Sequence, residues 1–91
     1  MRTVPAVVLA FCLLAARTLH AAPAALWIDV RSPEEYAAGH LPGAINLPYR
    51  EIAATIKAAE PDHDRPIKLY CGIGVRAQMA KYSLEAAGYK A

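Results

Sequence analysis

Tyr70-Cys71-Gly72-Ile73-Gly74-Val75-Arg76 constrains this chain more than any other stretch. The apolar run Ile67–Tyr70 predicts a strand and the pattern from Val75 onward predicts a helix, so the cysteine sits on a short loop between them. Gly72 and Gly74 carry no Cβ, which lets the backbone between Cys71 and Arg76 curl and turn successive N–H groups toward the sulfur. The following helix adds its own unpaired N–H groups and the positive end of its dipole. Both effects favour thiolate over thiol. An ordinary cysteine has a pKa of about 8.5, whereas one at a helix N-terminus beside a cation falls to about 3.5 to 7.5. Cys71 is therefore the candidate nucleophile and Arg76 its charge partner, with Gly72, Ile73, Gly74 and Val75 completing a loop able to hold a substrate. The alternative is an inert cysteine buried at a strand end.

The chain has 91 residues, enough for one small domain, and its start reads as a leader. Met1-Arg2 is positive, Val4 to Ala16 is an apolar run without charge, and Leu19-His20-Ala21-Ala22-Pro23-Ala24 supplies small residues. The run is shorter than the about 20 apolar residues that span a bilayer. This is the layout of a secretory signal peptide, residues 1–21, with cleavage after Ala21 or alternatively Ala24; an uncleaved N-terminal anchor is the other reading. A lipoprotein signal is disfavoured, because Phe11 rather than a small residue precedes Cys12. Removing residues 1–21 takes Arg2 and Arg17 away, so ten basic residues fall to eight against eight acidic ones. The expected mature chain is neutral, carries no basic stripe for nucleic acid, and makes no membrane contact once the leader is gone. It keeps one cysteine, a leftover thiol in an oxidising compartment such as the bacterial periplasm.

The rest of the chain alternates. Leu26-Trp27-Ile28-Asp29-Val30 reads as a buried parallel strand. Ser32 then caps a brief helix, with Pro33 in the first turn and Glu35 placed to complete a capping box, and Gly39 ends it. After the turn His40-Leu41-Pro42-Gly43 come a short strand over Ala44–Leu47 and a helix over about Tyr49–Ala59, with Ile52 and Ile56 on one face. A polar loop carrying Pro61 and Pro66 leads to the strand Ile67–Tyr70, and the last helix runs from about Val75 to Ala87, with Met79, Leu84 and the alanines available for packing and Gly88 as its stop. Such alternation predicts an α/β fold with βαβ crossovers and a parallel sheet, whose ligands sit beyond the carboxyl ends of the strands, where Cys71 lies.

Two stretches resemble one family. Trp27–Tyr36 followed by Gly39–Pro48, and then Ile67–Arg76, are similar in order and in detail to the signatures of a rhodanese domain, a sulfurtransferase fold, and within it to the small exported single-domain thiosulfate sulfurtransferases. The resemblance covers residues 26–88. It implies a three-layer fold in which helices flank a small parallel sheet, and a persulfide mechanism: the Cys71 thiolate takes sulfane sulfur from a donor such as thiosulfate or polysulfide and passes it to a thiophilic acceptor such as cyanide. No cofactor is implied. Four residues separate Cys71 from Arg76, the loop size associated with sulfur substrates; related phosphatases and arsenate reductases use a loop one residue longer. Asp29, Arg31 and Glu35 match family positions and are expected to pair and cap at the sheet's upper edge, as support. His40 precedes a Pro-Gly turn without a second histidine or cysteine at ligand spacing, so it is read as a turn-stabilising support residue and no metal is expected. His63 is read as solvated, and Arg50, near the active edge, as able to steer an anionic donor.

Rhodanese domains continue past the glycine that matches Gly88 with a further strand and helix, so the domain over residues 22–91 is expected to be incomplete at its C-terminus. Without that strand the cysteine-bearing strand would present an open edge, on which a second copy could add to give a homodimer. The competing functional reading is a non-catalytic rhodanese-like binding module, or an inactive remnant.

Overall fold

The computed structural model describes residues 24–91, so the expected leader lies outside the described residues. β1 (Leu26–Asp29), α1 (Pro33–Ala38), β2 (Ile45–Asn46), α2 (Ile52–Ala59), β3 (Ile67–Tyr70) and α3 (Val75–Ala86) alternate along the chain. The strands are all parallel in the order β2-β1-β3. Ile28 stands opposite Ile45 and Leu69, and Asp29 opposite Asn46 and Tyr70. Parallel neighbours need a crossover, and α1 and α2 supply the two. The result is the expected α/β fold, a small parallel sheet flanked by helices.

Alternation along β1 divides its side chains between two environments. Ile28 and the following Val30 enter the core with Ile52 and Ile56 of α2, Ile67 of β3, Ala80 and Leu84 of α3, and Tyr89. Tyr89 reaches through to donate its hydroxyl to the Glu60 carbonyl at 2.7 Å, which ties the chain beyond α3 to the end of α2. Trp27 and Asp29 face the other way. Asp29 is fully buried beneath Arg31, but Trp27 remains 41% exposed, with Lys68 Nζ 5.6 Å from its ring centre. The expectation that β1 is buried on both faces therefore holds at its carboxyl end and fails at Trp27. Among the described residues no helix is long and apolar enough to cross a membrane.

Local chemistry explains most element ends. Ser32 Oγ accepts from the Glu35 N–H at 3.2 Å while Glu35 accepts from the Ser32 N–H at 3.1 Å, the expected capping box, and Pro33 opens α1. α2 starts later than its sequence pattern suggests. Tyr49 is drawn to the sheet by donating its N–H to the Val30 carbonyl at 3.0 Å, and Glu51 closes a turn on Pro48 at 3.1 Å, so the helix begins only at Ile52. Gly88 adopts φ +89° just past α3, as expected of a helix stop. Met79 contradicts its assigned packing role: it is 51% exposed, on the face of α3 opposite Ala80 and Leu84. His63 is exposed as expected, yet it stacks on Tyr89 with ring centres 4.1 Å apart.

Candidate active site

The ends of all three strands and the starts of all three helices converge on one edge of the sheet, and Cys71 lies there directly after β3. Its sulfur accepts the Gly74 N–H at 3.0 Å and the Ala77 N–H at 3.4 Å. Gly74 makes this possible by taking φ +88°, the left-handed conformation that turns its N–H back toward the cysteine. Burial pushes the Cys71 thiol up, and the backbone N–H groups of Ala77, Gly74, Arg76 and Ile73 more than reverse that, leaving it below the ordinary cysteine range. The cradle is therefore made of backbone. Ile73 contributes an amide while its side chain is 86% exposed, Gly72 lines the cavity at the mouth, and Val75 opens α3 without being among the four donors.

Arg76, the expected charge partner of Cys71, keeps an electrostatic interaction with it but makes its hydrogen bonds elsewhere. Arg76 makes a double contact with Glu35, Nη1 to Oε1 at 2.7 Å and Nη2 to Oε2 at 3.1 Å. A carboxylate offers two matched acceptors to the guanidinium fork, which a single sulfur cannot. Glu35 is pulled down to about 2, first by Arg76 and then by the Ser32 N–H. Arg76 is raised chiefly by Glu35, with a smaller electrostatic contribution from Cys71. Glu35 thus caps α1 and clamps the cysteine loop.

A second network fixes the sheet edge beside the sulfur. Arg31 holds the buried Asp29 through Nε at 3.0 and 3.1 Å and Nη2 at 2.7 Å, and Nη2 also donates to the Gly39 carbonyl at 2.7 Å. Burial works against ionised Asp29, but the side-chain and backbone hydrogen bonds from Arg31, with help from Tyr70, hold its carboxyl below the usual range. Asn46 donates to the carbonyls of Asp29 and Arg31, each at 3.0 Å, and the Tyr70 hydroxyl accepts the Leu41 N–H at 3.0 Å. His40 Nδ1 lies 2.8 Å from the Tyr36 carbonyl, and its ring stacks on Tyr36 at 3.6 Å, the turn-holding role expected of it. Because a carbonyl only accepts, Nδ1 carries the proton. A cavity of about 250 Å³ lined by Arg31, His40, Leu41, Tyr70, Cys71 and Gly72 opens over the cysteine. Ala77, Asn46 and Tyr70 are positions in this arrangement that the sequence reading missed. Ala77 alone had a usable signal, its place in the first turn of the helix after the cysteine.

Tyr49 and Arg50 do lie at this edge, stacked on one another. Among the described residues, no group of three or more His, Cys, Asp or Glu side chains is placed to hold a metal ion.

Comparison with known proteins agrees with the fold. The sequence model of the rhodanese-like domain matches residues 14–91. Thiosulfate sulfurtransferase PspE of Escherichia coli (strain K12) is 44% identical over 63 residues, which are 69% of this chain and 61% of that protein. Thiosulfate:glutathione sulfurtransferase of Saccharomyces cerevisiae is 32% identical over 78 residues, covering 74% of this chain and 56% of that one. The chain therefore spans less than two thirds of either relative's length. A solved rhodanese with anions from E. coli superposes with a TM-score of 0.70 at 43% identity, over 74% of this chain and 79% of its own. On the strength of that match through residues 14–91 and the shared fold, the chain belongs to the family of rhodanese-like domains.

Proposed function

We propose that this chain is an exported thiosulfate sulfurtransferase that carries sulfane sulfur as a persulfide on Cys71. The observation that carries the reading is the amide cradle around the sulfur, with Gly74 and Ala77 N–H groups at 3.0 and 3.4 Å. The Cys71 thiolate attacks the outer sulfur of thiosulfate, the S–S bond of the donor breaks, and sulfite leaves with the bonding pair. The persulfide's terminal sulfur then lies at the mouth cavity, where a nucleophile such as cyanide attacks it, forms thiocyanate and returns the thiolate. The same amides that hold the thiolate stabilise the charge passing through the persulfide. The relatives' names as thiosulfate sulfurtransferases support the reaction class. Export rests on the leader-like layout of residues 1–21, and the periplasm is the compartment that fits it.

Thiocyanate formation from thiosulfate and cyanide by residues 22–91, beside the Cys71→Ala variant, tests the reading. Turnover in the parent that disappears in Cys71→Ala is the expected result. Turnover that survives the substitution overturns the persulfide mechanism, and turnover in neither leaves the alternative of a rhodanese-like binding module or an inactive remnant. The outer edge of β3 also favours association with a second copy, a reading argued at the scale of the whole molecule below.

A further inference from the structure

A second cavity, of about 280 Å³, shares Arg31 with the mouth over Cys71 and reaches Arg76 at the end of the cysteine loop. Its walls come from the segments that follow the three strands: Arg31 to Pro33 after β1, Pro48 to Glu51 after β2, and Arg76 in the first turn of α3 after β3. That volume approaches the range of small organic ligands and is far more than a small inorganic donor fills. Three arginines line it, and two are already committed. Arg31 is held by Asp29 and Arg76 by Glu35. Arg50 has no carboxylate partner among the described residues.

Arg50 is nonetheless held in place. Its Nε donates to the Tyr49 hydroxyl at 2.9 Å and its guanidinium carbon lies 5.5 Å from the centre of the Tyr49 ring. Tyr49 in turn is anchored to β1 through its N–H to the Val30 carbonyl at 3.0 Å. With Nε used, the two Nη groups remain as a forked donor matched to a carboxylate. Pro33 and Pro48 give the cavity rigid apolar walls, and Glu51 on its rim disfavours an anion at that end, so the negative group belongs at Arg50.

We infer that this cavity is a subsite for the carboxylate of a low-molecular-weight organic thiol, the sulfur acceptor, with Arg50 as the residue that selects it. The inference rests on the persulfide reading of Cys71. The acceptor loses its thiol proton to solvent, and its thiolate attacks the outer sulfur of the Cys71 persulfide. The new S–S bond forms the acceptor persulfide, and the Cys71–sulfur bond breaks with its pair returning to the Cys71 thiolate.

The test uses full-length protein loaded with thiosulfate, loading being followed by released sulfite, and compares transfer to glutathione with transfer to its diethyl ester. The two share a thiol and differ in free carboxylates, and taking the ratio of their kcat/KM values cancels general effects on folding or loading. Arg50→Ala is expected to lower the glutathione-to-ester ratio about tenfold, through KM, and Arg50→Lys to restore part of it. A ratio unchanged in Arg50→Ala overturns the subsite. Binding of unreactive S-methylglutathione to unloaded protein, followed by NMR, separates this from failure of the persulfide reading. If thiosulfate never loads Cys71, the sulfurtransferase reading falls, while Arg50-dependent binding still supports the subsite; absence of binding by the unsubstituted protein overturns it.

Discussion

Gly74 donates to the Cys71 sulfur at 3.0 Å from a backbone at φ +88°, and a Cβ built there would meet no atom within 4 Å. The strain of Gly74→Ala is therefore purely conformational, about 1 to 2 kcal/mol for an L-residue in the left-handed region, and its relief moves the N–H away from the sulfur. Cys71 is an acid whose pKa is depressed by that donation, so losing the donor moves its titration upward. The pH midpoint of Cys71 alkylation by iodoacetamide is expected to lie below the ordinary cysteine value in the parent and to rise in Gly74→Ala. Removing the Arg76 and Glu35 charges together, as Arg76→Gln with Glu35→Gln, subtracts a neutral pair and should leave the midpoint near that of the parent. A midpoint that rises in the double variant but not in Gly74→Ala would return the activating role to the guanidinium. The sequence makes Cys71, the glycines and the Ser32–Glu35 box plain, because each acts through local spacing. It hides the Glu35–Arg76 clamp, since 41 residues separate the partners and only the crossover brings α1 beside the loop. It hides the role of Tyr70 equally, because a tyrosine closing an apolar strand looks like packing until its hydroxyl is found on the Leu41 N–H.

At the scale of the element, α3 is the informative one. Ala77, Ala80 and Leu84 turn inward, with Ala80 and Leu84 fully buried, while Val75, Met79 and Tyr82 form an exposed apolar stripe on the opposite side. Helical periodicity locates a helix from either stripe, so the sequence predicts α3 closely but assigns Met79 to the wrong face. Burial, not hydrophobicity, decides which stripe matters to stability. Leu84→Ala is expected to cost about 2 to 5 kcal/mol by emptying a filled site, whereas Met79→Lys should stay within about 0.5 kcal/mol. Urea unfolding of the two variants checks this. Comparable losses from both would mean that Met79 is packed in solution. The strands are read well for a related reason: Leu26 and Ile28 of β1 and Ile67 and Leu69 of β3 are apolar because that face of each meets the core under α2 and α3. Trp27 departs from the rule because no helix among the described residues covers it.

At the scale of the whole molecule, the outer edge of β3 carries no partner strand among the described residues. β3 pairs with β1 alone among the described strands, and the Ile67 N–H, which points outward, is met by the Lys90 carbonyl at 3.0 Å. By the alternation of a strand, the Leu69 N–H points the same way. Along that edge runs a groove of about 370 Å³ lined by Trp27, Ile67, Leu69, Ala77 and the lysines Lys68 and Lys81. An edge of this kind templates strand addition, and a second copy presents the same edge, so a two-fold pairing of β3 with β3 satisfies both. A chain that is neutral without residues 1–21 offers little net repulsion to oppose it. Such a contact would be short, at the weak end of interfaces, below about 1,200 Å², so association is expected only at high protein concentration. Lys68 and Lys81 of two paired copies would repel across it, and screening by salt should therefore strengthen such a dimer rather than weaken it. Trp27 is the chain's one tryptophan and lines the groove, so its emission reports burial directly. For residues 22–91, the expected outcome is a sedimentation coefficient that rises with protein concentration, more steeply at high salt, with a parallel blue shift of Trp27 fluorescence. A concentration-independent monomer with unshifted emission would mean that the Ile67–Lys90 contact and the side chains along the groove are enough to keep the edge closed to a second copy.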